Sequence, residues 1–403
     1  MKIYKIGLFG FGCVGQGLYE ALAQQQLNAH ITKICVKDHT KQRAVAPALL
    51  TYCADEILND ESIDIVVELI DDPEFALEIA QRAMSKGKAV VSANKKMIAE
   101  HLDELISLQH KYDAPLLYEG AVCGSIPIIR NLQDYFHAEK ISEIRGIFNG
   151  SSNYILSQIF QENKEYAEAL KEAQDNGFAE SDPTLDVGGF DPKFKLSILI
   201  KHTFGLSIHP DHIFNWGIQH VSKADIVFAK ERGLKIKLLA QAKLDQGRIT
   251  ASIAPHFVDT DNPVYHIENE YNCVLLNGQF VDHQTLIGKG AGSLPTGLAV
   301  LADVVAITHG YQYRYMDNQA QYDRNTETEV YLSFENESDV VKSAFTQITE
   351  SYTSAGAGYI IGRISLNHLS ALLKNAHGRI NAIFTSGSQH EFQIPQLAYS
   401  YAS

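Results

Sequence analysis

The chain has 403 residues, of which 45% are apolar and 20% are charged, and its formal net charge at pH 7 is −14. Its length predicts two or three domains with sizeable cores, and its acidic balance argues against general nucleic-acid binding. The sequence contains no apolar run long enough to span a membrane and no signal-peptide pattern at its start. Five cysteines lie apart from one another without a C-x-x-C spacing, which is typical of reduced thiols in a cytoplasmic protein.

The first part of the chain, residues 1–134, alternates predicted strands with predicted helices. The strands are short, mostly apolar segments at 3–9, 31–37, 63–70 and 88–93. This alternation predicts an α/β fold with a doubly wound parallel sheet of the Rossmann type, in which helices cover both faces. We assign a long apolar helix within about 286–310, which follows a glycine-rich turn, to the same nucleotide-binding domain.

Three further regions follow the nucleotide-binding part. Residues 135–285 mix strands and helices without regular alternation, which predicts an α+β domain. A polar, tyrosine-rich stretch at 311–325 is assigned as a linker. Residues 326–403 alternate strands with helices again, including a predicted helix at 339–348, and are assigned as a small third α+β module.

A G-x-G-x-x-G pattern lies between the first predicted strand and the first predicted helix. Such a turn lets backbone N–H groups and a helix N-terminus approach a pyrophosphate closely. The pattern therefore predicts a dinucleotide site, which we assign to Phe11, Gly12, Cys13, Val14 and Gly15.

The sequence leaves the preferred dinucleotide open. Asp38 ends the second predicted strand, where a carboxylate holds the ribose hydroxyls of NAD. Lys37, Lys41 and Arg43 lie beside it and can instead accept the 2′-phosphate of NADP. All four residues are equally compatible with an ordinary charged surface.

The stretch FAESDPTLDVGGFDPKFK, at 178–195, is unusually rich in carboxylates. Asp191 precedes a proline, a pattern that predicts an N-cap with proline at the first helical position. Lys195 then lies about one turn into the helix. Asp182 is interpreted as a turn former and Asp186 as a structural carboxylate.

The segment NGSSNYIL predicts a helix that begins at Ser151 or Ser152. The N–H groups at such a helix start suit the carboxylate of an amino-acid substrate. A simple cap formed by the serines explains the pattern equally well.

Several segments together resemble the homoserine dehydrogenase family. They are GFGCVG at 10–15, SANKK at 92–96, YEGAVCGSIPII at 118–129, GIFNGSSNYIL at 146–156, GFAESDPTLDVGGFDPKFK at 177–195 and GKGAGSLPTG at 288–297. The resemblance covers roughly residues 3–307. It implies oxidation of L-homoserine, or reduction of L-aspartate 4-semialdehyde, with NAD or NADP, in the biosynthesis of threonine, methionine and isoleucine.

The resemblance also implies roles for individual residues. Lys195 would transfer the proton, with Lys95 as a second proton-transfer candidate, and Asp191 and Glu180 would bind homoserine. Gly177 would line the substrate site. On the residues alone, Asp191 is equally well explained as a helix cap. The cofactor-binding residues implied in addition to the glycine turn are Ser92, Lys95 and Gly292.

The segment EGAVCGSI resembles a loop that binds a monovalent cation such as Na⁺ in this family. Its ligands would be oxygens, mostly backbone carbonyls, of Glu119, Val122, Gly124 and Ile126. A loop that only holds the two domains together is an equally good interpretation. The resemblance also implies that residues 135–285 form the catalytic and dimerisation domain. It further implies a homodimer or higher homo-oligomer with a small-molecule substrate, without nucleic-acid or membrane partners.

Two features depart from the family pattern. Asp71 and Asp72 replace a usual double glycine after the third predicted strand. Because two carboxylates near a pyrophosphate are unfavourable, we expect this loop to bend away from the cofactor. The C-terminal module resembles a shortened ACT domain, but its first turn reads ENESDVV, without proline or glycine, and its strand number looks reduced. The resemblance therefore gives no support for threonine binding, and a dimerisation or structural role fits equally well.

Two other functions are compatible with a dinucleotide-binding chain. One is a non-catalytic, dinucleotide-sensing regulatory protein, although such a protein has no need for Lys195, Asp191 and Glu180. The other is a different Rossmann oxidoreductase acting on an amino-acid aldehyde, for which Cys123 is the candidate nucleophile.

Overall fold

The protein is described by a computed structural model that covers residues 2–316, 320–376 and 378–385. Parts of the predicted linker and of the C-terminal module, at 317–319, 377 and 386–403, therefore lie outside the described residues. Two β-sheets organise the chain. One is parallel and comes from the N-terminal part, and the other is mixed and holds the later strands.

The parallel sheet has the strand order β3-β2-β1-β4-β5-β6. Its strands are β1 (Tyr4–Phe9), β2 (Ala29–Cys35), β3 (Leu50–Thr51), β4 (Ile65–Glu68), β5 (Ala89–Ser92) and β6 (Leu116–Leu117). This order, with the first strand central, is that of a dinucleotide-binding fold and confirms the predicted sheet of the Rossmann type. The strands read as apolar runs because helices cover both faces, and all four residues of β4 are buried.

Helices flank this sheet, and one of them comes from much later in the chain. They are α1 (Cys13–Ala23), α2 (Asp55–Leu58), α3 (Pro73–Ser85), α4 (Lys95–Tyr112) and α11 (Ser293–Thr308). Helix α11 packs directly on α1 at two glycines. A Cβ on Gly17 would lie 1.9 Å from the Ser293 carbonyl oxygen, and a Cβ on Gly297 would lie 2.5 Å from the Gly17 carbonyl carbon. This contact brings the turn before α11 next to the glycine turn before α1.

The second sheet runs in the order β12-β11-β7-β9-β10-β17-β14-β16-β15, and two short strands, β8 and β13, also pair with β10. Its strands are β7 (Ile141–Ile147), β8 (Phe214–Asn215), β9 (Lys235–Asp245), β10 (Arg248–Val258), β11 (Tyr271–Gly278), β12 (Asp282–Lys289), β13 (Gln321–Tyr322), β14 (Glu327–Phe334), β15 (Phe345–Ser354), β16 (Ala357–Ser365) and β17 (Ile380–Phe384). The helices of this part are α5 (Ile128–Gln133), α6 (Gly150–Gln161), α7 (Tyr166–Asp175), α8 (Thr184–Val187), α9 (Phe190–Phe204), α10 (Lys223–Glu231) and α12 (Leu366–Asn375).

Helix α9 joins the two parts of the molecule. Every residue from Asp191 to Phe204 is buried, and the helix packs against α4 on one side and β9 on the other. Polar side chains at the start of α9 are therefore held in fixed surroundings. Among the described residues, no helix combines the length and the apolar character needed to cross a membrane.

The described C-terminal strands extend the mixed sheet. Strand β17 pairs with β10 in parallel at Phe384 and His256, and the order β17-β14-β16-β15 continues from there. Four strands are present among the described residues after 326, so the expectation of a reduced strand number is wrong. The predicted helix at 339–348 is also wrong. Short 3-10 turns lead there into β15, whose Thr, Tyr and Ile residues favour an extended chain.

The first residues of the predicted linker are packed. Tyr313 is only 2% exposed, and its hydroxyl accepts a hydrogen bond from the Tyr118 N–H at 3.3 Å. The Tyr315 hydroxyl lies 2.9 Å from that of Tyr118, which in turn lies 2.8 Å from His202 Nε2. Residues 311–316 thus lie against the edge of the parallel sheet and against α9.

Candidate active site

A cleft of about 690 Å³ lies between the carboxyl edge of the parallel sheet and a wall formed by α6, α8 and α9. Ligands of open α/β sheets bind at this edge. The side of the parallel sheet contributes Cys13, Val14, Asp71, Lys95 and Gly292, and the opposite wall contributes Asn149, Ser151, Glu180, Asp186, Asp191 and Lys195. The predicted cofactor turn and the carboxylate-rich stretch therefore face one another.

The glycine turn leaves room in front of helix α1. Gly10 has a φ of 88°, and a Cβ there would lie 2.4 Å from the Leu69 carbonyl oxygen. A Cβ on Gly12, in contrast, would meet nothing within 4 Å. Gly12 is the N-cap residue of α1, and no side chain caps that end, so the first N–H groups of the helix remain for an anion. This arrangement fits the pyrophosphate of a dinucleotide.

The other predicted cofactor residues are distributed between the cleft and the core behind it. Gly292 has a φ of 121° and borders the cleft just before α11. Gly15 is buried, and a Cβ there would lie 2.5 Å from the Gly10 carbonyl oxygen. Phe11 is 7% exposed and packs edge-on against Tyr19, with the ring centroids 5.7 Å apart.

Ser92 is fully buried behind the cleft. Its hydroxyl donates to the Glu68 carboxylate at 2.5 Å and accepts from the Asn94 N–H at 3.0 Å. Burial raises the pKa of Glu68 to about 7, although Ser92 and the Ile70 N–H both favour its ionised form. The Ser92 side chain therefore supports the end of β5 from inside.

Asp38 lies in a closed turn after β2. Its Oδ1 accepts hydrogen bonds from the Thr40 N–H and hydroxyl, both at 2.7 Å, and the hydroxyl holds the pKa of Asp38 below its usual value. Arg43 donates to the carbonyls of Asp38 and Lys41, each at 2.8 Å. The turn thus presents a carboxylate and cations together, and it is compatible with both NAD and NADP.

Two lysines from opposite sides of the cleft meet at one carboxylate. The Lys195 ammonium donates to Asp191 Oδ2 at 2.7 Å, and the Lys95 ammonium lies 3.0 Å from Asp191 Oδ1. Lys195 also donates to the Phe148 carbonyl at 2.7 Å, and its side chain is 10% exposed. Burial by itself would raise the pKa of Asp191, but the two lysine charges outweigh it and hold that pKa well below its usual range. The charge of Asp191 in turn raises the pKa of Lys95.

The predicted N-cap role of Asp191 is wrong. Helix α9 begins at Phe190, and Gly189, with a φ of 77°, occupies the cap position. Asp191 lies inside the first turn. Because residues four apart lie on the same face of a helix, Asp191 and Lys195 can pair there.

Asn149 was not predicted as a site residue, and its side chain links several residues of the wall opposite the parallel sheet. It caps α6 by accepting a hydrogen bond from the Ser152 N–H at 2.8 Å, so the helix begins at Gly150, just before the predicted start. Its amide donates to Asp186 Oδ1 at 2.7 Å and to Asp191 Oδ2 at 2.9 Å. Burial and the charge of Asp191 raise the pKa of Asp186. An asparagine ahead of a helical pattern is itself an N-cap signal, but it does not indicate contacts with residues forty positions away.

Gly177 and Glu180 lie on the exposed loop between α7 and α8 at the border of the cleft. The Glu180 carbonyl accepts a hydrogen bond from the Gln174 side chain at 3.0 Å, which fixes the loop. Asp182 forms the expected turn, because it accepts hydrogen bonds from the Thr184 N–H at 3.1 Å and the Thr184 hydroxyl at 2.6 Å. The loop thus adds the Glu180 carboxylate to the wall opposite the parallel sheet.

The Glu119 carboxylate, in the candidate cation loop, faces inward. It accepts hydrogen bonds from the N–H groups of Ile129 and Arg130 at 2.9 Å and 2.8 Å, and so satisfies the start of α5. Burial and the neighbouring Asp303 raise the pKa of Glu119. A cation in this loop would therefore use the Glu119 carbonyl oxygen and leave its carboxylate to the helix.

The rest of the candidate cation loop lies between the two domains. Val122 and Ile126 are buried, while Gly124, with a φ of 52°, borders the cleft. The Ser125 N–H donates to the Lys289 carbonyl at 3.0 Å, which ties the loop to the end of β12. Within the described ranges, no group of three or more His, Cys, Asp or Glu side chains could hold a metal ion. That result does not concern a site made of backbone carbonyls.

The two aspartates that replace the family's double glycine have different surroundings. Asp72 is the N-cap of α3 and accepts hydrogen bonds from the N–H groups of Glu74 and Phe75, both at 3.1 Å. Asp71 borders the cleft. The position of this loop relative to a bound cofactor stays a prediction. The cap of α3 thus accounts for Asp72, whereas Asp71 remains on the side of the cleft that the parallel sheet forms.

Cys123 does not have the surroundings of an activated thiol. It is fully buried, and burial raises its pKa to about 12. Nucleophilic cysteines need a lowered pKa and access to the substrate. The alternative of a cysteine-dependent aldehyde oxidoreductase is therefore not supported.

The comparison with known proteins agrees with this site. A family model described as homoserine dehydrogenase matches residues 127–305, and one described as the NAD binding domain of homoserine dehydrogenase matches residues 10–119. Homoserine dehydrogenase of Bacillus subtilis is 31% identical over 378 residues, which are 89% of this chain and 87% of that protein. The Helicobacter pylori enzyme is 36% identical over 314 residues, 76% of this chain and 74% of that protein.

Solved structures that resemble this chain are also homoserine dehydrogenases. The crystal structure of a homoserine dehydrogenase from Thiobacillus denitrificans superposes with a TM-score of 0.82 at 28% identity and covers 95% of this chain and 98% of its own. A hyperthermophilic archaeal homoserine dehydrogenase in complex with NADPH has a TM-score of 0.67 at 26% identity, over 78% of this chain and 99% of its own. From the two family models, the relatives and the paired walls of the cleft, we conclude that the chain belongs to the homoserine dehydrogenase family.

Proposed function

We propose that the chain interconverts L-homoserine and L-aspartate 4-semialdehyde with NAD or NADP. In the oxidative direction, the nicotinamide accepts a hydride from C4 of homoserine, and the hydroxyl proton leaves to a base. The observation that carries the proposal is the meeting of Lys195 and Lys95 at Asp191, across the cleft from an uncapped glycine turn.

Lys195 is the proposed proton-transfer residue. The Phe148 carbonyl and Asp191 hold its Nζ from two directions. As a neutral amine, Lys195 would accept the hydroxyl proton during oxidation, and as an ammonium it would return that proton during reduction. Lys95 comes from the cofactor side at the start of α4, and its side chain is 39% exposed. This position suits a second group that orients the hydroxyl or relays its proton.

The carboxylates of the opposite wall are the proposed site for the substrate ammonium. Glu180 approaches from the loop after Gly177, and Asp191 contributes negative charge while it pairs with the lysines. The substrate carboxylate fits the N-terminus of α6, where Gly150 and Ser151 border the cleft. The two ends of the amino acid are thereby recognised on one wall, and the reacting C4 faces the other.

Two findings support NAD or NADP as the cofactor. The matched NAD binding domain spans the glycine turn, and the structure of a similar archaeal homoserine dehydrogenase is a complex with NADPH. Cys13, Val14, Gly292 and the open space at Gly12 would hold the dinucleotide. The turn around Asp38 and Arg43 leaves the choice between the two to measurement.

A monovalent cation and self-association complete the proposal. The carbonyl oxygens of Glu119, Val122, Gly124 and Ile126 are hard ligands of the kind that Na⁺ accepts, and a cation there would tie the parallel sheet to α5. We assign dimerisation to residues 135–285. The C-terminal strands, in the order β17-β14-β16-β15 with α12 on one face, resemble an ACT domain whose first helix is missing, and a structural role suits them.

The test is an absorbance assay for reduced nicotinamide with L-homoserine and either NAD or NADP. We expect the wild type to reduce at least one cofactor, and Lys195→Ala to lower kcat by about 10²- to 10⁴-fold because the proton acceptor is lost. Lys193→Ala is the matched control on the same helix, since Lys193 pairs with the exposed Asp211 at 3.5 Å and does not border the cleft.

The same assay can reject the proposal. If the wild type reduces neither cofactor, and oxidises neither reduced cofactor with L-aspartate 4-semialdehyde, the chain is not this enzyme. A dinucleotide-sensing role would then account better for the glycine turn. If Lys195→Ala and Lys193→Ala retain equal activity, the activity stands but the role of Lys195 does not.

A further inference from the structure

The side-chain amide of Asn149 has a single orientation that satisfies its neighbours. Its Oδ1 accepts from the Ser152 N–H at 2.8 Å, and a backbone donor cannot reverse its role. Its Nδ2 must therefore face the carboxylates, and it donates to Asp186 Oδ1 at 2.7 Å and to Asp191 Oδ2 at 2.9 Å. Asn149 is 5% exposed, so little water competes for these bonds.

These two carboxylates repel one another inside the protein. Burial raises the pKa of Asp186, and the charge of Asp191 raises it further. The bonds of Lys195 and Lys95 go to Asp191, and Lys195 favours ionised Asp186 only from a distance. The Ser151 hydroxyl also favours ionised Asp186, but it donates a hydrogen bond to the Phe178 carbonyl, so Asp186 needs a further donor to remain beside Asp191.

The remaining charged groups near this pair do not supply that support. Glu180, on the loop before α8, adds a further negative charge, and Cys123, after β6, is a neutral buried thiol. A neutral amide can stabilise both anions with its two N–H groups and add no positive charge that would compete with a substrate ammonium. The Asn149 side chain has this property, and it is rigid because its other end caps a helix.

We propose that Asn149 is a positioning residue of the reaction: its carboxamide holds Asp186 and Asp191 side by side and so keeps Lys195 in place for proton transfer. The inference rests on the proposed function, because it acts through Lys195 and Asp191. The N-terminal end of α6 would then have two roles. Asn149 positions the proton-transfer residue, and the N–H groups of the helix bind the substrate carboxylate. The positioning role also explains why an asparagine stands where a serine would suffice as a cap.

Two substitutions separate positioning from capping. Asn149→Asp and Asn149→Ser both retain an oxygen that caps a helix as well as asparagine does, but neither retains the two N–H donors. Asn149→Asp also adds a carboxylate beside two others. The measurements are kcat, KM and the pH profile of kcat/KM for homoserine oxidation, together with binding of the reduced cofactor followed by its fluorescence.

We expect kcat to fall by about tenfold or more in both variants, because a misplaced proton acceptor slows the chemical step. The acid limb of kcat/KM should move to higher pH, by about one unit in Asn149→Ser and further in Asn149→Asp, because carboxylates without their donors are harder to ionise. The cofactor Kd should stay within about twofold, since the cofactor contacts the other wall.

The control for stability is Ser365→Ala, which removes the cap of α12 at the His368 N–H, far from the cleft. It should lose stability by the usual amount for a cap and keep the wild-type pH profile. Wild-type rates and an unshifted acid limb in Asn149→Asp would overturn the proposal, since Asn149 would then only cap α6. If Lys195→Ala is inactive while both Asn149 variants behave like the wild type, this inference is rejected and the proposed function stands. If Lys195→Ala remains active, the proposed role of Lys195 is rejected.

Discussion

The two walls of the cleft offer different groups to a ligand. The proposed cofactor wall is the side of the parallel sheet, with Cys13, Val14 and Gly292, and the proposed substrate wall is the opposite side, with Asn149, Asp186, Asp191 and Lys195. The cofactor wall presents backbone, because no side chain caps α1 and a Cβ on Gly12 would meet nothing within 4 Å. The substrate wall presents charged side chains that satisfy one another, with Asp191 bonded to two lysines and an amide. The first wall depends on one turn between a strand and a helix. The second depends on three helices, because Asn149 caps α6, Asp186 lies in α8, and Asp191 and Lys195 both lie in α9. Lys95 reaches Asp191 from α4 on the first wall, so a change at Asp191 affects partners on both sides of the cleft.

The largest effect is expected from Asp191→Asn, which breaks the substrate wall at its centre. Both lysines lose their negative partner, and the buried Lys195 ammonium is left uncompensated. We expect kcat to fall by about 10²- to 10⁴-fold and the free energy of unfolding to fall by about 3 kcal/mol. Steady-state kinetics and urea unfolding measure the two losses.

The matched control is Asp182→Asn in the same carboxylate-rich stretch. Asp182 is exposed and only forms a turn with Thr184, which asparagine can also form. Its activity should stay within about twofold of the wild type. If Asp191→Asn were as active as Asp182→Asn, the two walls would not differ in the way described.

A smaller and more selective effect is expected from Gly12→Ala in the cofactor wall. Gly12 has a φ of −82°, which alanine adopts, so the variant should fold normally. Its methyl group occupies space in front of α1, and we expect the KM for the dinucleotide to rise by about tenfold with little change in the KM for homoserine.

Gly17→Ala is the contrasting variant on the same helix. Its Cβ would lie 1.9 Å from the Ser293 carbonyl oxygen, so α1 and α11 would have to separate. We expect a loss of about 1–3 kcal/mol in the free energy of unfolding. The opposite pattern, with an unstable Gly12→Ala and a stable Gly17→Ala, would contradict the assignment of open space to the cofactor turn.

The smallest effect on activity concerns the support behind the parallel-sheet wall, where we expect a change in stability alone. The folded-state pKa of Glu68 is about 7, against an ordinary value of 4.5, because burial disfavours its charge. Between these two values the folded state keeps a proton that the unfolded chain releases, so the contribution of Glu68 to stability falls as pH rises. Glu68→Gln cannot titrate. The wild type should lose about 3 kcal/mol more than this variant between pH 4.5 and pH 8, measured by urea unfolding.

The parallel sheet and the glycine turn followed from the sequence because both are local. Apolar runs, glycines and helical periodicity occur within about thirty residues of one another, and they predict a parallel sheet with helices on both faces. The C-terminal region was harder to predict for the same reason. The second half of the segment at 339–348 belongs to β15, where pairing with β16 adds to the preference of its Thr, Tyr and Ile residues for an extended chain. Asp191 was wrongly predicted as the N-cap of α9 for a similar reason. An aspartate before a proline is compatible with the cap position and also with the first turn of a helix, so the sequence pattern does not distinguish them.

The amino-acid order alone was enough to indicate a dinucleotide fold and to place Lys195, Lys95, Asp191 and Glu180 in one site, because their motifs carry the family's chemistry. It did not indicate that Asp191 would be shared between lysines from two helices, or that Asn149 would join Asp186 to it. Those contacts connect segments up to about a hundred residues apart, and each exists only because α9 is buried between α4 and the mixed sheet. A side chain's partners inside a protein depend on which elements pack together, and packing is a property of the whole fold.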